Sequence, residues 1–196
     1  MTSRIDQILA RIDALHDELE EEIGRRRDAF HYRLEKNRVR FEAGRLRQQR
    51  ALRMRWRTFL ARANPWHILT APLIYGLIVP FVLLDLCVSL YQAICFRAYG
   101  IPRVKRRDHI RIDRHHLAYL NVIQKANCVY CGYCNGLLSY VTEIASRTEA
   151  FWCPIKHAAR IAQPHRRYPQ FTDYGDAEGY QDGLEASRRD VTRGDR

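Results

Sequence analysis

Charge is almost missing from one stretch of this chain: the 29 residues from Ile68 to Phe96 carry a single formal charge, Asp85. A run that apolar excludes a simple soluble domain, since about 20 such residues suffice to cross a bilayer. Proline is absent before Pro65, with Gly24 and Gly44 the only weak points, so nothing forces a break in a helix over residues 1–64. Acid is absent from residues 45–64, which hold seven arginines. Cysteine is scarce: six thiols in 196 residues are too few for a disulfide scaffold. The opening M-T-S-R-I-D-Q-I-L lacks a basic-then-apolar leader, so export is not expected. Also missing are a phosphate-binding glycine loop, a nucleophile elbow and a paired-carboxylate motif, which leaves enzymes built on them without support.

The residues that are present are unevenly spread. Lys plus Arg number 33 against 22 Asp plus Glu, for a formal charge of +11. Residues 1–24 carry seven acids and two arginines, whereas residues 25–62 carry fourteen basic residues and three acids. Ile5, Ile8, Ile12, Leu15 and Leu19 recur at three- and four-residue steps, the seam of an amphipathic helix. The step then slips to Ile23, Phe30, Leu34 and Phe41, as a stutter would make it. The pattern predicts a long amphipathic or coiled-coil helix, or a helical hairpin, over residues 1–62. Its apolar stripe needs a partner: a second copy of the chain or a helical protein. The acidic and basic halves can attract each other in a hairpin or between antiparallel chains.

Residues 65–96 form the expected membrane segment. Both flanks are basic, since residues 97–116 also hold seven Lys/Arg, so the positive-inside tendency ends in a tie. Two topologies remain open: one membrane helix, or a re-entrant or interfacial hairpin bent near Pro80 with both flanks in the cytoplasm. Trp56, Trp66 and Tyr75 suit interfacial anchoring. Anionic lipid, at about 1 kcal/mol per Lys or Arg near the surface, accounts for the basic flank more cheaply than nucleic acid. Asp85 is costly in hydrocarbon, so it either has a function or sits near a headgroup or an opposite charge. Cys87 and Cys95 read as lipid- or core-facing thiols. The expected placement is the inner membrane, with the module of residues 97–161 on the cytoplasmic side.

Residues 97–161 carry the chemistry. Asp113 is a plausible N-cap for a helix over 114–126, and a second helix is expected over 138–151. Between them runs N-C-V-Y-C-G-Y-C-N-G, Asn127 to Gly136, which has the look of a metal knuckle. Cys153-Pro-Ile-Lys-His157 adds a thiol and an imidazole. Cys128, Cys131, Cys153 and His157 would make a Cys3His set for zinc or a single iron. Cys128, Cys131, Cys134 and Cys153 would instead hold an iron–sulfur cluster. A third arrangement puts His116 with Cys153 and His157 and leaves Cys128 and Cys131 as a redox pair. The plain alternative is buried reduced thiols. His115 and His116 read as surface groups at a helix start, Glu143 and Glu149 as exposed acids. Residues 162–196, with Pro164, Pro169, four glycines and many charges, read as a disordered tail.

The strings I-V-P-F-V-L-L-D-L, Y-G-I-P-R-V, D-R-H-H-L-A-Y-L-N, N-C-V-Y-C-G-Y, N-G-L and F-W-C-P-I-K-H together resemble a group of uncharacterised bacterial, proteobacterial membrane proteins. The resemblance covers about residues 68–161 and brings no activity with it. Members often have a small residue at the place of Cys134, which favours Cys128, Cys131, Cys153 and His157 as the ligand set.

The expectation is therefore a mainly helical, membrane-attached protein whose Cys/His module binds zinc or iron for a structural, sensing or adaptor role. The rivals are an iron–sulfur or thiol redox protein, and a membrane enzyme acting on lipid-linked substrates.

Overall fold

The computed structural model describes residues 4–29, 32–35, 38–41 and 45–194, and it is mainly helical as the patterning requires. Helix α1, Arg4–Ala29, carries the Ile5–Leu19 seam along one side, and these side chains stand 43–55% exposed. The long helix or helical hairpin expected over residues 1–62 is interrupted by two strands. Strands β1 (Tyr32–Glu35) and β2 (Arg38–Phe41) follow α1 and pair antiparallel, with Tyr32 opposite Phe41 and Glu35 opposite Arg38. The slip in apolar spacing marks a change of period, from helical to the two-residue repeat of a strand, and not a stutter. Short helices α2 (Arg45–Ala51) and α3 (Trp56–Arg62) complete the basic stretch.

Helix α4 spans Pro65–Tyr99, 35 residues. Asn64 caps it, its Oδ1 accepting from the Trp66 N–H at 3.0 Å, and Pro65 takes the first turn, where a missing N–H costs nothing. The bend expected near Pro80 is absent. The helix tightens at Leu77, whose N–H bonds back to Ile74 O at 3.2 Å, and restarts as Ile78–Tyr91. Pro80 then falls in the first turn of that second segment, the one position where proline leaves the ladder intact. A π-helical turn at Gln92–Phe96 swings Gln92 and Phe96 inward, and Gly100, at φ +71°, stops the helix in the left-handed conformation.

Helix α5, Val122–Trp152, is one continuous element of 31 residues. The expected turn at 127–136 and separate helix at 138–151 merge into it. The expected helix at 114–126 shrinks to a 3-10 turn, Arg114–His116, and the N-cap is Asn121 instead of Asp113. Gly136 permits the merger: a Cβ there would lie 2.8 Å from Ile110 Cα and 2.9 Å from His109 O. It marks a close approach of backbone, not a turn.

The expected disordered tail is folded. Helix α6, Tyr180–Arg193, buries Leu184 and Val191, and Phe171 is buried ahead of it. Ser187 Oγ donates to Ala150 O at 2.7 Å and Arg188 Nε to Phe151 O at 2.8 Å, tying α6 to the end of α5. The core gathers Phe96, Ile101, Val104, Leu137, Tyr140, Ile144, Phe171 and Val191.

The chain divides into two units that cut across the four zones of its sequence. One comprises Met1–Arg62 and Asp113–Ala126; the other comprises Ala63–Ile112 and Asn127–Arg196.

Candidate functional site

Helix α4 has two unlike sides. Leu69, Leu73, Leu83, Leu90 and Ile94 fall on one face, together with Gly76, Pro80 and Cys87, at alternating three- and four-residue steps. Those five aliphatic side chains are 61–76% exposed, and no charge interrupts them. The opposite face carries Phe81, Asp85, Val88, Gln92 and Phe96, and it packs on the protein. Amphipathicity here separates apolar-in-protein from apolar-in-solvent. Asp85 and Gln92 lie on the covered side.

That covered side is lined by α5, which runs alongside α4 in the same direction. Tyr75 Oη bonds the Asn127 side chain, Tyr130 Oη donates to Ile74 O at 2.8 Å, and Tyr133 Oη donates to Asp85 at 3.0 Å. Farther along, Gln92 bonds the Tyr140 hydroxyl, and Tyr91 and Thr148 hydroxyls lie 3.0 Å apart. Two parallel neighbours need a connection that returns the length of the pair. It passes Gln92, whose Oε1 accepts from the Val104 N–H at 3.0 Å, and then Asp85, where Arg106 Nη2 lies 2.6 Å from Oδ2. Of the roles open to Asp85, the structure provides an ion pair with a basic residue of another segment.

The predicted metal ligands do not meet. Cys128 and Cys131 sit near the start of α5, and Cys153 follows its last residue. At 1.5 Å per residue the helix holds Cys128 and Cys153 about 37 Å apart, against the 2.0–2.3 Å from one ion that shared ligation needs. Cys134, the alternative cluster ligand, is buried in α5. His157 stacks on Tyr168, ring centroids 6.1 Å apart, and its backbone N–H donates to the Tyr168 hydroxyl. His116 lies in the 3-10 turn with its ring against His115, 3.9 Å between centroids. Among the described residues no three His, Cys, Asp or Glu side chains cluster as a metal would require. The uninterrupted helix is the physical reason: a knuckle needs a turn, and here the turn is helical. Burial pushes the Cys134 thiol up, and partial burial with the Glu149 carboxylate nearby does the same for Cys153. Both shifts keep these two sulfurs protonated, opposite to what a ligand or nucleophile needs.

Compared with known proteins, the chain matches no family, no curated protein and no solved structure.

Glu143 is not the exposed acid its spacing suggests. Its side chain is 13% exposed and accepts from Arg147 Nε at 2.8 Å and from both terminal nitrogens of Arg167 at 3.0 Å. Arg147 also donates to Pro102 O, and Arg167 to Ser146 Oγ at 2.9 Å. Burial pushes the Glu143 carboxyl up, but the hydrogen bonds and charges of Arg167 and Arg147 more than offset this, leaving it below its ordinary value. Glu149 likewise pairs with His165, 2.8 Å to Nε2. These contacts fasten the C-terminal segment to α5, and the signal for them was the C-terminal arginines, which composition alone assigned to a tail.

Proposed function

We propose that this protein is a non-enzymatic, membrane-attached adaptor, held at the inner membrane by α4 and offering α1 to a helical partner or a second copy. The observation that carries it is the uncharged, exposed face from Leu69 to Ile94, flanked by basic residues on both sides. Each aliphatic side chain moved from water into lipid contributes about 1.5–3 kcal/mol, and basic flanks add attraction to anionic headgroups.

The path of the connecting chain favours an in-plane helix over a crossing one. The chain that leaves the Val104 N–H, bonded beside Gln92, carries five charged residues up to Ile112, Lys105, Arg106, Arg107, Asp108 and Arg111, and Asn127 is back beside Tyr75. Tyr75 to Gln92 is about 26 Å of helix, nearly a hydrocarbon thickness. A perpendicular α4 would draw that charged strand through the bilayer, at about 2.5 kcal/mol or more for each buried charge. Lying in the interface, α4 immerses its apolar face and leaves the connection in water.

The test reconstitutes the full chain in phosphatidylglycerol-containing vesicles. Cysteine-free variants carrying Ala61→Cys or Ala98→Cys are exposed to a membrane-impermeant maleimide from outside. An in-plane helix lets both report in one population of labelled vesicles. Protection of one alone establishes a crossing helix, and a chain that fails to float with vesicles ends the membrane reading.

A further inference from the structure

The first turn of α5 and the basic stretch that opens α3 enclose a cleft of about 480 Å³, lined by Arg53, Arg55, Trp56, Arg57, Asn121 and Val122 among others. Three of those residues are arginines and none is an acid. Arg57 lies over the Trp56 ring, 5.4 Å from its centroid, and no ion pair involves Arg53 or Arg55 among the described residues.

Asn121 forms the floor and is 1% exposed. Its Oδ1 accepts from the Gln124 N–H at 3.0 Å, while the Gln124 side chain accepts from the Asn121 N–H at 3.0 Å. This reciprocal cap commits the oxygen of the amide and leaves the nitrogen as a donor. Asn121 Nδ2 is buried without a partner. The helical ladder begins with Lys125 donating to Asn121 O, so the N–H groups of Val122 and Ile123 lie outside it, at the positive end of a 31-residue helix. Asn121 with its unmatched amide donor, the start of a helix and three arginines thus line one cleft, and no acid lines it.

We infer that this cleft binds a phosphate group. A phosphate offers several strong acceptor oxygens and a negative charge, which suits a helix N-terminus, a neutral amide donor and arginine forks together. The volume leaves room for a substituent on the phosphate, against the exposed Trp56 indole. The same chemistry is found on an anionic lipid headgroup and on a soluble phosphate compound. The inference stands whether or not α4 lies in the membrane plane.

The experiment uses the full chain in neutral detergent, with thermal unfolding and equilibrium binding as readouts. Two probes are compared at constant ionic strength: inorganic phosphate, and phosphatidylglycerol in mixed micelles against phosphatidylcholine. Saturable binding is expected. Asn121→Asp keeps the cap oxygen but replaces the donor with a negative charge, and it should weaken binding at least tenfold. Arg55→Gln, at an exposed position, should weaken it severalfold and serves as the second variant if Asn121→Asp unfolds. Arg62→Gln, in the same basic stretch but outside the cleft, should leave it unchanged. Saturation by inorganic phosphate identifies a soluble phosphate as sufficient; saturation by phosphatidylglycerol that phosphate does not displace identifies the headgroup. Equal losses in Arg62→Gln and Arg55→Gln would reduce the effect to diffuse attraction and overturn the site, as would wild-type affinity in both Asn121→Asp and Arg55→Gln.

Discussion

Arg106 grips Asp85 with two nitrogens, Nη2 to Oδ2 at 2.6 Å and Nε to Oδ1 at 3.3 Å, and so pins the returning connection to the middle of the apolar helix. Asp85 is 15% exposed, whereas Arg106 is about half exposed at 49%. Loss of the arginine therefore leaves a mostly covered carboxylate without its counter-charge, still held by the Tyr133 hydroxyl at 3.0 Å, while loss of the acid leaves a guanidinium that water can reach. Arg106→Gln should destabilise the protein by about 1–3 kcal/mol, and Asp85→Asn by less. The double variant should recover part of the Arg106→Gln loss. Melting of the four proteins in one detergent gives the cycle; strict additivity would show the pair to be uncoupled.

Glu143 contributes to the acid limit of the fold. Its carboxyl titrates below its ordinary value in the folded chain, so its contribution is complete above the unfolded pKa and is lost as pH falls through the folded one. The loss should fall in the acid range below the normal carboxylate pKa, with neutral pH unaffected. Glu143→Gln leaves Arg147 and Arg167, 11% and 9% exposed, facing a neutral amide. The variant should be less stable at neutral pH by about 3 kcal/mol and should show a shallower acid limb. Chemical denaturation at a series of pH values separates the two, and parallel wild-type and variant curves would remove Glu143 from this role.

Gly136 and Gly24 are both helical glycines, yet they should respond to alanine with opposite signs. At Gly24 an added methyl meets nothing within 4 Å, so Gly24→Ala should stabilise α1 by about 0.5–1 kcal/mol through helix propensity. At Gly136 the methyl meets the backbone of Ile110 and His109 inside 3.0 Å, and backbone does not yield as a flexible side chain does. Gly136→Ala should cost about 1–3 kcal/mol despite the better propensity. Unfolding of both variants settles it: a neutral Gly136→Ala would mean that the connection is free to move away from α5.

The legible parts of this fold were those with a period. The Ile5–Leu19 seam announced α1, and the uncharged window announced α4, because each repeats a simple spacing over many residues. The failures occurred where residue chemistry has two uses. Gly132 and Gly136 beside cysteines signal a knuckle, but a glycine inside a helix also marks where another backbone approaches. The i+4 spacing of Glu143 and Arg147 marked them as local partners, and they pair, but only the fold reveals that Glu143 is covered and that Arg167 joins it. The orphaned donor of Asn121 was out of reach, since the cap that fixes its amide depends on where α5 begins. The apolar face of α4 could be foreseen as apolar but not as one-sided, because its cover comes from a helix later in the chain.

Cysteine and metal can be separated directly. The continuous helix sets Cys153 about 37 Å from Cys128, so a zinc or iron ion shared within one chain would require α5 to break. Cys153→Ser should therefore leave metal content and unfolding free energy within about 0.5 kcal/mol of the parent, as expected for an exposed position away from a functional contact. Exposed Cys131 should react readily with maleimide in the folded chain, Cys153 more slowly because its thiol is pushed up, and buried Cys134 only on unfolding. Mass spectrometry of partially labelled protein reads the order of reaction, and elemental analysis of anaerobically purified chain reads the metal. Stoichiometric zinc or iron that is released by Cys153→Ser, with Cys131 and Cys153 protected together until that release, would require a second arrangement of residues 127–157 in which α5 is interrupted.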